Sequence, residues 1–239
     1  MRKSTTYLTV IVLMTLMAAL LSGCVDGTFQ TRTDEVSDFN RIQIETFGEF
    51  IIEQGDVESL TIEAPRDYLR YITTGVEGGV LTISNRRGFV GGPIRKVTYT
   101  ITVKDLKEVS LSGAGAIKIF KLASDQLEIN LTGAGSVEID DLTADKLEVN
   151  LTSAGAIVIA GQVDSQEVNI SGVGSYESGD LRSNEAEIQL AGAGSAVVWV
   201  EEFLDVNVTG IGSVSYYGEN PDVRQNVSGL GSINSKGER

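Results

Sequence analysis

From residue 108 onward, apolar and polar residues alternate with period two, and the alternation restarts about every twenty residues. One repeat reads DKLEVNLTSAGAIVIAGQVD, from Asp145 to Asp164. Leu147, Val149 and Leu151 alternate with Glu148, Asn150 and Thr152. After a bend of small residues, Ile157 and Ile159 flank Val158. The preceding repeat does the same with Leu127, Ile129, Leu131, Val137 and Ile139. Period two marks a strand with one buried face. Nothing from 108 onward sustains an apolar stripe of helical period.

The bends repeat a phrase. LSGAGAIKI starts at Leu111, LTGAGSVEI at Leu131, LTSAGAIVI at Leu151 and ISGVGSYES at Ile170. LAGAGSAVV, VTGIGSVSY and VSGLGSINS follow from Leu190, Val208 and Val227. The second glycines are Gly115, Gly135, Gly155, Gly174, Gly194, Gly212 and Gly231, spaced by 18 to 20 residues. A fixed period of this size predicts a repeat architecture. Each repeat reads as strand, Gly-x-Gly bend, strand and a polar turn such as DDLTAD, Asp140 to Asp145. Glycine belongs where φ is positive or where other backbone comes close. Ser153 replaces the first glycine once, which makes the second position the stricter one.

A rung of twenty residues with five inward apolar side chains cannot offset its own ordering entropy. It must stack on rungs above and below, so that equivalent residues meet at about 4.8 Å. Leu111, Leu131, Leu151, Ile170, Leu190, Val208 and Val227 are then expected as an inner apolar column. Asn130, Asn150, Asn169, Gln189, Asn207 and Asn226 are expected as an outer amide ladder. Stacked amides hydrogen-bond along such a column. The predicted fold is an all-β single domain, a right-handed parallel β-helix or β-solenoid with coils of about 20 residues. A propeller would need blades of about 40 residues. Residues 36–110 alternate without the glycine phrase and are expected as irregular N-terminal capping coils; 111–239 form the regular part. A glycine-rich basic loop runs from Arg86 to Lys96.

The first 23 residues fall outside this pattern. Arg2 and Lys3 precede an apolar run from Tyr7 to Leu21, then Leu-Ser-Gly-Cys. This describes a secretory signal, too short and wrongly flanked for a comfortable membrane span. Leu21 to Cys24 resembles the lipobox of lipoproteins. That resemblance implies cleavage before Cys24, lipid on its thiol and a linker over 24–35. Two or more acyl chains anchor stably where one does not. Cys24 is the only cysteine, so no intrachain disulfide forms.

Charge narrows the partners. Without Arg2 and Lys3, 17 basic residues stand against 33 acidic ones, a net charge of −16. Nucleic acid is not expected as a partner. Residues 64–107 carry eight basic and three acidic residues; 108–239 carry seven and twenty. There is no histidine, which removes imidazole catalysis and imidazole ligands. No cofactor is expected.

Other motifs have plainer readings. The Gly-x-Gly phrase lacks the third glycine and following helix of a dinucleotide site. Calcium β-rolls carry an aspartate after their glycines; here Ser or Ala follows, and no aspartate is read in register. Asp140, Asp141 and Asp145 could group at one bend as oxygen ligands, though a solvated acidic surface is the expectation. Five sequons, at Asn130, Asn150, Asn169, Asn207 and Asn226, are generated by the repeat and lie in strands. Trp199, Tyr216 and Tyr217 are expected as one partly packed aromatic cluster.

A lipobox followed by alternating coils and serial Leu-[Ser/Thr]-Gly-x-Gly-[Ser/Ala] turns resembles the autotransporter-adhesin head domain family, also called the GIN domain family, over about residues 36–235. The resemblance implies a β-helical fold without recognised catalytic residues, and an adhesion role. The chain shows neither the coiled-coil stalk nor the membrane-anchor barrel of trimeric adhesins.

The expected function is therefore a non-enzymatic lipoprotein of the cell envelope, facing outside the cytoplasm. It is anchored through Cys24 and binds a surface glycan or protein along long β faces, with self-association as a homo-oligomer. One alternative is a carbohydrate-active β-helix enzyme, marked by a groove with two or more carboxylates plus Arg or Lys. Another is a structural or sensory partner of a membrane protein, contacting it through Arg86 to Lys96.

Overall fold

Leu131 lies between Leu111 and Leu151 in adjacent parallel strands of the computed structural model, which describes residues 29–86 and 96–239. The whole expected inner column, Leu111 to Val227, follows in register. Ile44 and Ile83 continue it beyond Leu111. The chain is a single-domain β-solenoid of about six turns.

The N-terminal coils are not stacked in chain order. Here β1 (Phe29–Asp34), β2 (Arg41–Glu45), β3 (Phe47–Gln54) and β4 (Ser59–Pro65) are followed by the short helix α1 (Arg66–Leu69). Then come β5 (Ile72–Glu77), β6 (Val80–Asn85) and β7 (Thr98–Val103). The rung made by β2 and β3 sits in the middle: β6 and β7 pair with its outer side. β8 (Glu108–Leu111) and β9 (Ala114–Ile119) pair with its inner side. Three antiparallel pairings end the parallel stack: β5 on β6, β4 on β7 and β1 on β4. Helix α1 buries Tyr68 and Leu69 there.

The regular part runs through β10 (Leu122–Leu131), β11 (Ala134–Leu151), β12 (Ala154–Ile170), β13 (Val173–Leu190) and β14 (Ala193–Val208). It ends with β15 (Ile211–Tyr217), β16 (Asp222–Val227) and β17 (Leu230–Ser235). The stretch Asp140 to Asp145 is not the expected polar turn. Strand β11 runs straight through it, with Leu142 and Ala144 buried. The period-two pattern simply continues: Leu142 and Ala144 alternate with Asp141, Thr143 and Asp145. Each coil therefore has a third side, where Leu122, Leu142, Gly161 and Leu181 align. The register shifts among the repeats fall on or beside this side, between Ile139 and Leu142, Val158 and Ala160, Ser178 and Arg182, and Ser183 and Glu185. Bulges absorb single residues in this way, so the repeat tolerates a period of 18 to 20 without losing its files.

None of the Gly-x-Gly glycines has positive φ. Close backbone approach is what demands them. A Cβ on Gly135 would stand 2.0 Å from the carbonyl oxygen of Gly115, and one on Gly133 would stand 1.9 Å from that of Gly113. Both glycines of the phrase are confined, with a carbonyl oxygen 1.7 to 2.2 Å from a Cβ at the first and 1.8 to 2.9 Å at the second, so clearance does not make the second the stricter one. Ser153 is accommodated at the first position by donating its hydroxyl to the carbonyls of Gly133 and, at 3.2 Å, Leu131.

One polar cluster interrupts the core. Gln166 replaces the leucine found at Leu127 and Leu147 in the same file. It donates to Ser183 Oγ at 2.8 Å and accepts from Tyr176 OH at 2.9 Å and Ser178 Oγ at 3.2 Å. Tyr176 lies between Ile157 and Ala196 in its file, so a small neighbour makes room for the large ring. Burial pushes its phenol far above the ordinary tyrosine range, so it stays a neutral donor.

Two predictions follow from this packing. Gly135→Ala forces backbone apart at a rung contact and should lower stability by roughly 2–4 kcal/mol in urea unfolding. Gln166→Leu strands the buried Tyr176 hydroxyl, while Ser178 and Ser183 keep the carbonyls of Val197 and Trp199, and should cost about 2–3 kcal/mol. Adding Tyr176→Phe should recover most of that loss, measured by the same unfolding curves.

Candidate binding faces

The outward side chains of the strands form files as regular as the inner ones. On the side built by β8, β16 and the C-terminal halves of β10 to β14, the expected amide ladder is present. Ser110, Asn130, Asn150, Asn169, Gln189, Asn207 and Asn226 stand in register. Asn150 Nδ2 donates to Asn130 Oδ1 at 3.0 Å, Asn169 to Asn150 at 3.2 Å and Asn226 to Asn207 at 3.1 Å.

A carboxylate file runs beside it, two residues earlier in each strand. Glu108, Glu128, Glu148, Glu167, Glu187 and Asp205 align, with Arg41 before them and Arg224 after. The amides brace these carboxylates: Asn130 Nδ2 donates to Glu128 at 2.7 Å and Gln189 Nε2 to Glu187 at 3.0 Å. Lys146 lies 3.3 Å from Glu167 and 3.8 Å from Glu148. The file was readable in the sequence, since each acid precedes its amide by two.

The side built by β9, β15, β17 and the N-terminal halves of β11 to β14 is different. Ala114, Ala134, Ala154, Val173, Ala193, Ile211 and Leu230 form its outermost file. Ala116, Ser136, Ala156, Ser175, Ser195, Ser213 and Ser232 form the next. Alanine and serine fill most of these two files, and Val173, Ile211 and Leu230 stand exposed from the outermost one.

Aspartates do recur in register, contrary to the sequence reading, which looked only after the glycines. Asp105, Asp125, Asp145 and Asp164 line an open groove of about 530 Å³ on the third side, with Thr143 and Gln162. Among the described residues, no Lys or Arg lines it. The three aspartates considered as one bend group do not converge: Asp140 bonds Lys118, Asp141 lies 2.7 Å from Lys121, and Asp145 faces the groove. Among the described residues, no three His, Cys, Asp or Glu side chains come together as a metal site.

The remaining candidates scatter. Cys24 lies outside the described residues, as does most of the Arg86 to Lys96 loop; of its ends, Lys96 pairs with Glu49 at 3.0 Å. The sequon asparagines 130, 150, 169, 207 and 226 sit within strands. Trp199 and Tyr217 are register partners, and Arg239 and Lys236 lie over the Tyr217 ring at 5.1 and 5.3 Å. Tyr216 packs against the core.

A family model described as "Putative auto-transporter adhesin, head GIN domain" matches residues 38–221. The chain belongs to this GIN domain family. A Bacteroides fragilis protein described as "a putative adhesin" is similar in structure, with a TM-score of 0.82 and 29% identity. The match covers 87% of this chain and 96% of that one. A Parabacteroides distasonis protein described as a "putative lipid binding protein" has a TM-score of 0.68 and 27% identity, covering 88% and 97%. A Parabacteroides merdae "putative adhesin" shares the fold at 23% identity and a TM-score of 0.66, covering 88% and 97%. No curated protein matches the chain.

For this GIN domain the acidic file carries a physical consequence. Like charges directly opposite across strands oppose pairing. Glu187 stands between Glu167 and Asp205 in register. Glu187→Gln should therefore raise the urea midpoint at low salt. The gain should vanish near 1 M salt, where screening acts within about 3 Å.

Proposed function

We propose that this GIN domain is a non-enzymatic adhesion module of the cell envelope, tethered by lipid on Cys24 and binding a surface glycan through its carboxylate–amide face. One observation carries this reading: the face repeats fixed donors and acceptors at every rung, and successive rungs stand about 4.8 Å apart. A repeating, hydroxyl-rich polymer meets such a lattice with many weak contacts, each made easier by the last. The bracing of Glu128 by Asn130 and of Glu187 by Gln189 holds the acceptors in place before a ligand arrives, which lowers the ordering cost of binding. The adhesin descriptions of the family and of the Bacteroides fragilis relative support the same class of role.

The enzyme alternative finds less support. Its mark is a groove combining carboxylates with Arg or Lys, and among the described residues the groove of Asp105, Asp125, Asp145 and Asp164 carries no basic side chain. Its aspartates stack along one column, with none facing them across a cleft in the manner of paired glycosidase acids.

A glycan array probed with the full chain tests the binding claim. Asn150→Ala combined with Glu148→Ala should reduce the signal at least about tenfold, as expected when repeated contacts are interrupted at mid-face. An array without hits, or with hits that this double variant leaves intact, defeats the proposal. The tether is tested separately: Cys24→Ser should shift the chain from the detergent phase to the aqueous phase, and an unchanged partition refutes lipid attachment.

A further inference from the structure

The Gly-x-Gly corners carry an outward file as well as a backbone contact. Its middle residue is alanine at Ala114, Ala134, Ala154 and Ala193, so the corner needs nothing larger. Yet the same position holds Val173, Ile211 and Leu230, which are 65%, 60% and 79% exposed. Exposed apolar residues lined up along one strip mark an interaction site. Charge is missing from the same strip. The five residues of each corner, from 112–116 to 228–232, include no Asp, Glu, Lys or Arg in any of the seven rungs. Acids border the strip, with Glu138 and Glu177 on one side and the carboxylate file on the other. In a chain of net charge −14, this is the surface that an anionic partner meets with least repulsion.

The head of this strip is where the tether arrives. Phe47 precedes Ala114 in the corner file. One file over, Glu49, Thr98, Glu63 and Thr31 align across β3, β7, β4 and β1. Two residues along each strand from these stand Phe47, Lys96, Pro65 and Phe29, with Phe29 directly opposite Pro65. Phe29 therefore heads the file that ends at Leu230. It follows Cys24 by five residues, a length of chain that spans at most about 18 Å. We propose that the solenoid lies along a bilayer on this uncharged corner strip, with Val173, Ile211 and Leu230 entering the headgroup region. The proposal rests on the lipid tether at Cys24, which holds the head of the strip at the membrane.

A short tether allows two postures. Upright, the chain touches the membrane only at its N-terminal end. Leu230, six rungs beyond Ala114 in the file, then stands at least about 29 Å away. The bulky apolar residues occupy the far half of the strip, where an upright chain gives them no contact. Lying down, the same three side chains reach the boundary of headgroups and acyl chains, roughly 5–10 Å deep. Three side chains hold a bilayer weakly by themselves. The tether makes that contact intramolecular, at an effective concentration on the order of millimolar. The posture also sorts the other surfaces. Resting on this corner turns the third side, with Asp105, Asp125, Asp145 and Asp164, away from anionic headgroups. The two flanking sides slope outward and stay open to ligand.

The test uses the full lipidated chain in vesicles of phosphatidylcholine and phosphatidylglycerol whose acyl chains carry bromine, a short-range quencher of tryptophan. Trp199 is the one tryptophan, so Trp199→Phe gives a dark background for single reporters. Ile211→Trp or Leu230→Trp should be quenched at least about threefold more than Asn150→Trp on the amide ladder or Thr143→Trp on the third side, because only the corner reaches the brominated depth. Adding Val173→Asp, Ile211→Asp and Leu230→Asp together should lower the quenching of Ala193→Trp to that of Asn150→Trp, with flotation on the vesicles and melting temperature unchanged. Flotation reports the tether separately. A chain that does not float refutes the lipid on Cys24 and not the strip: its free Cys24 thiol, coupled to a maleimide lipid, supplies the same tether, and the same comparison decides. Equal quenching at corner, ladder and third side overturns the proposal. So does quenching of Ala114→Trp without Leu230→Trp, the mark of an upright chain, and so does a corner reporter shielded from bromine by a second copy.

Discussion

The contact on which everything else rests is backbone on backbone at the glycine corner. The carbonyl of Gly115 occupies the volume that a Cβ on Gly135 would need, and the carbonyl of Gly194 does the same to Gly212. Two turns of chain can approach this closely only if the upper one carries no side chain there. Once the corner is fixed, the strands leaving it on both sides are fixed too. Their alternation then decides which residues turn inward. A one-residue slip would drive Asn150 and Glu148 inward and Leu151 out. The glycine phrase thus sets register for the column from Leu111 to Val227.

Register, once set, acts on both surfaces of the sheet. The same pairing that stacks Leu131 on Leu151 stacks Asn130 on Asn150 and Glu128 on Glu148. Apolar stacking inside is favourable at every rung. Outside, the consequences are mixed: amides bond along their ladder, while carboxylates repel. The fold stabilises the inner file and so imposes the outer one. A surface of six aligned acids therefore needs its braces, Asn130, Gln189 and Lys146 among them. Such a surface is also ready for a ligand that supplies further donors.

Much of this was legible because it is periodic. The inner column, the amide ladder and the exclusion of a propeller all came from counting by twenty. The third side was missed because Leu142 and Ala144 are only two apolar residues among Asp140, Asp141, Thr143 and Asp145, a composition that reads as a turn. The aspartate column escaped because the search was made after the glycines, whereas Asp125, Asp145 and Asp164 stand ten residues before them. The rung order at the N-terminus has no periodic signal at all. Nothing in residues 41–54 or 80–103 says which lies outermost, since both alternate equally well and the choice depends on where β1, β4 and β5 cross.

Departures from the repeat carry as much information as the repeat. Gln166 and Tyr176 each break an apolar file, and they break it together, with Ser178 and Ser183 completing the network. Gln166 or Tyr176 alone would leave a buried polar atom without a partner, whereas Ser178 and Ser183 also donate to the carbonyls of Val197 and Trp199. Their joint presence beside the bulges of β13 and β14 places a directional, hydrogen-bonded cluster where the backbone register is least regular. Gln225 breaks the same kind of file at the last rung, but there it is exposed and no neighbouring rung supplies its partners. A glutamine turned inward at the core is satisfied within the chain; a glutamine turned inward at the open end is satisfied by water or by another chain. The same departure from the apolar file therefore demands a built network inside the stack and demands nothing at its open end.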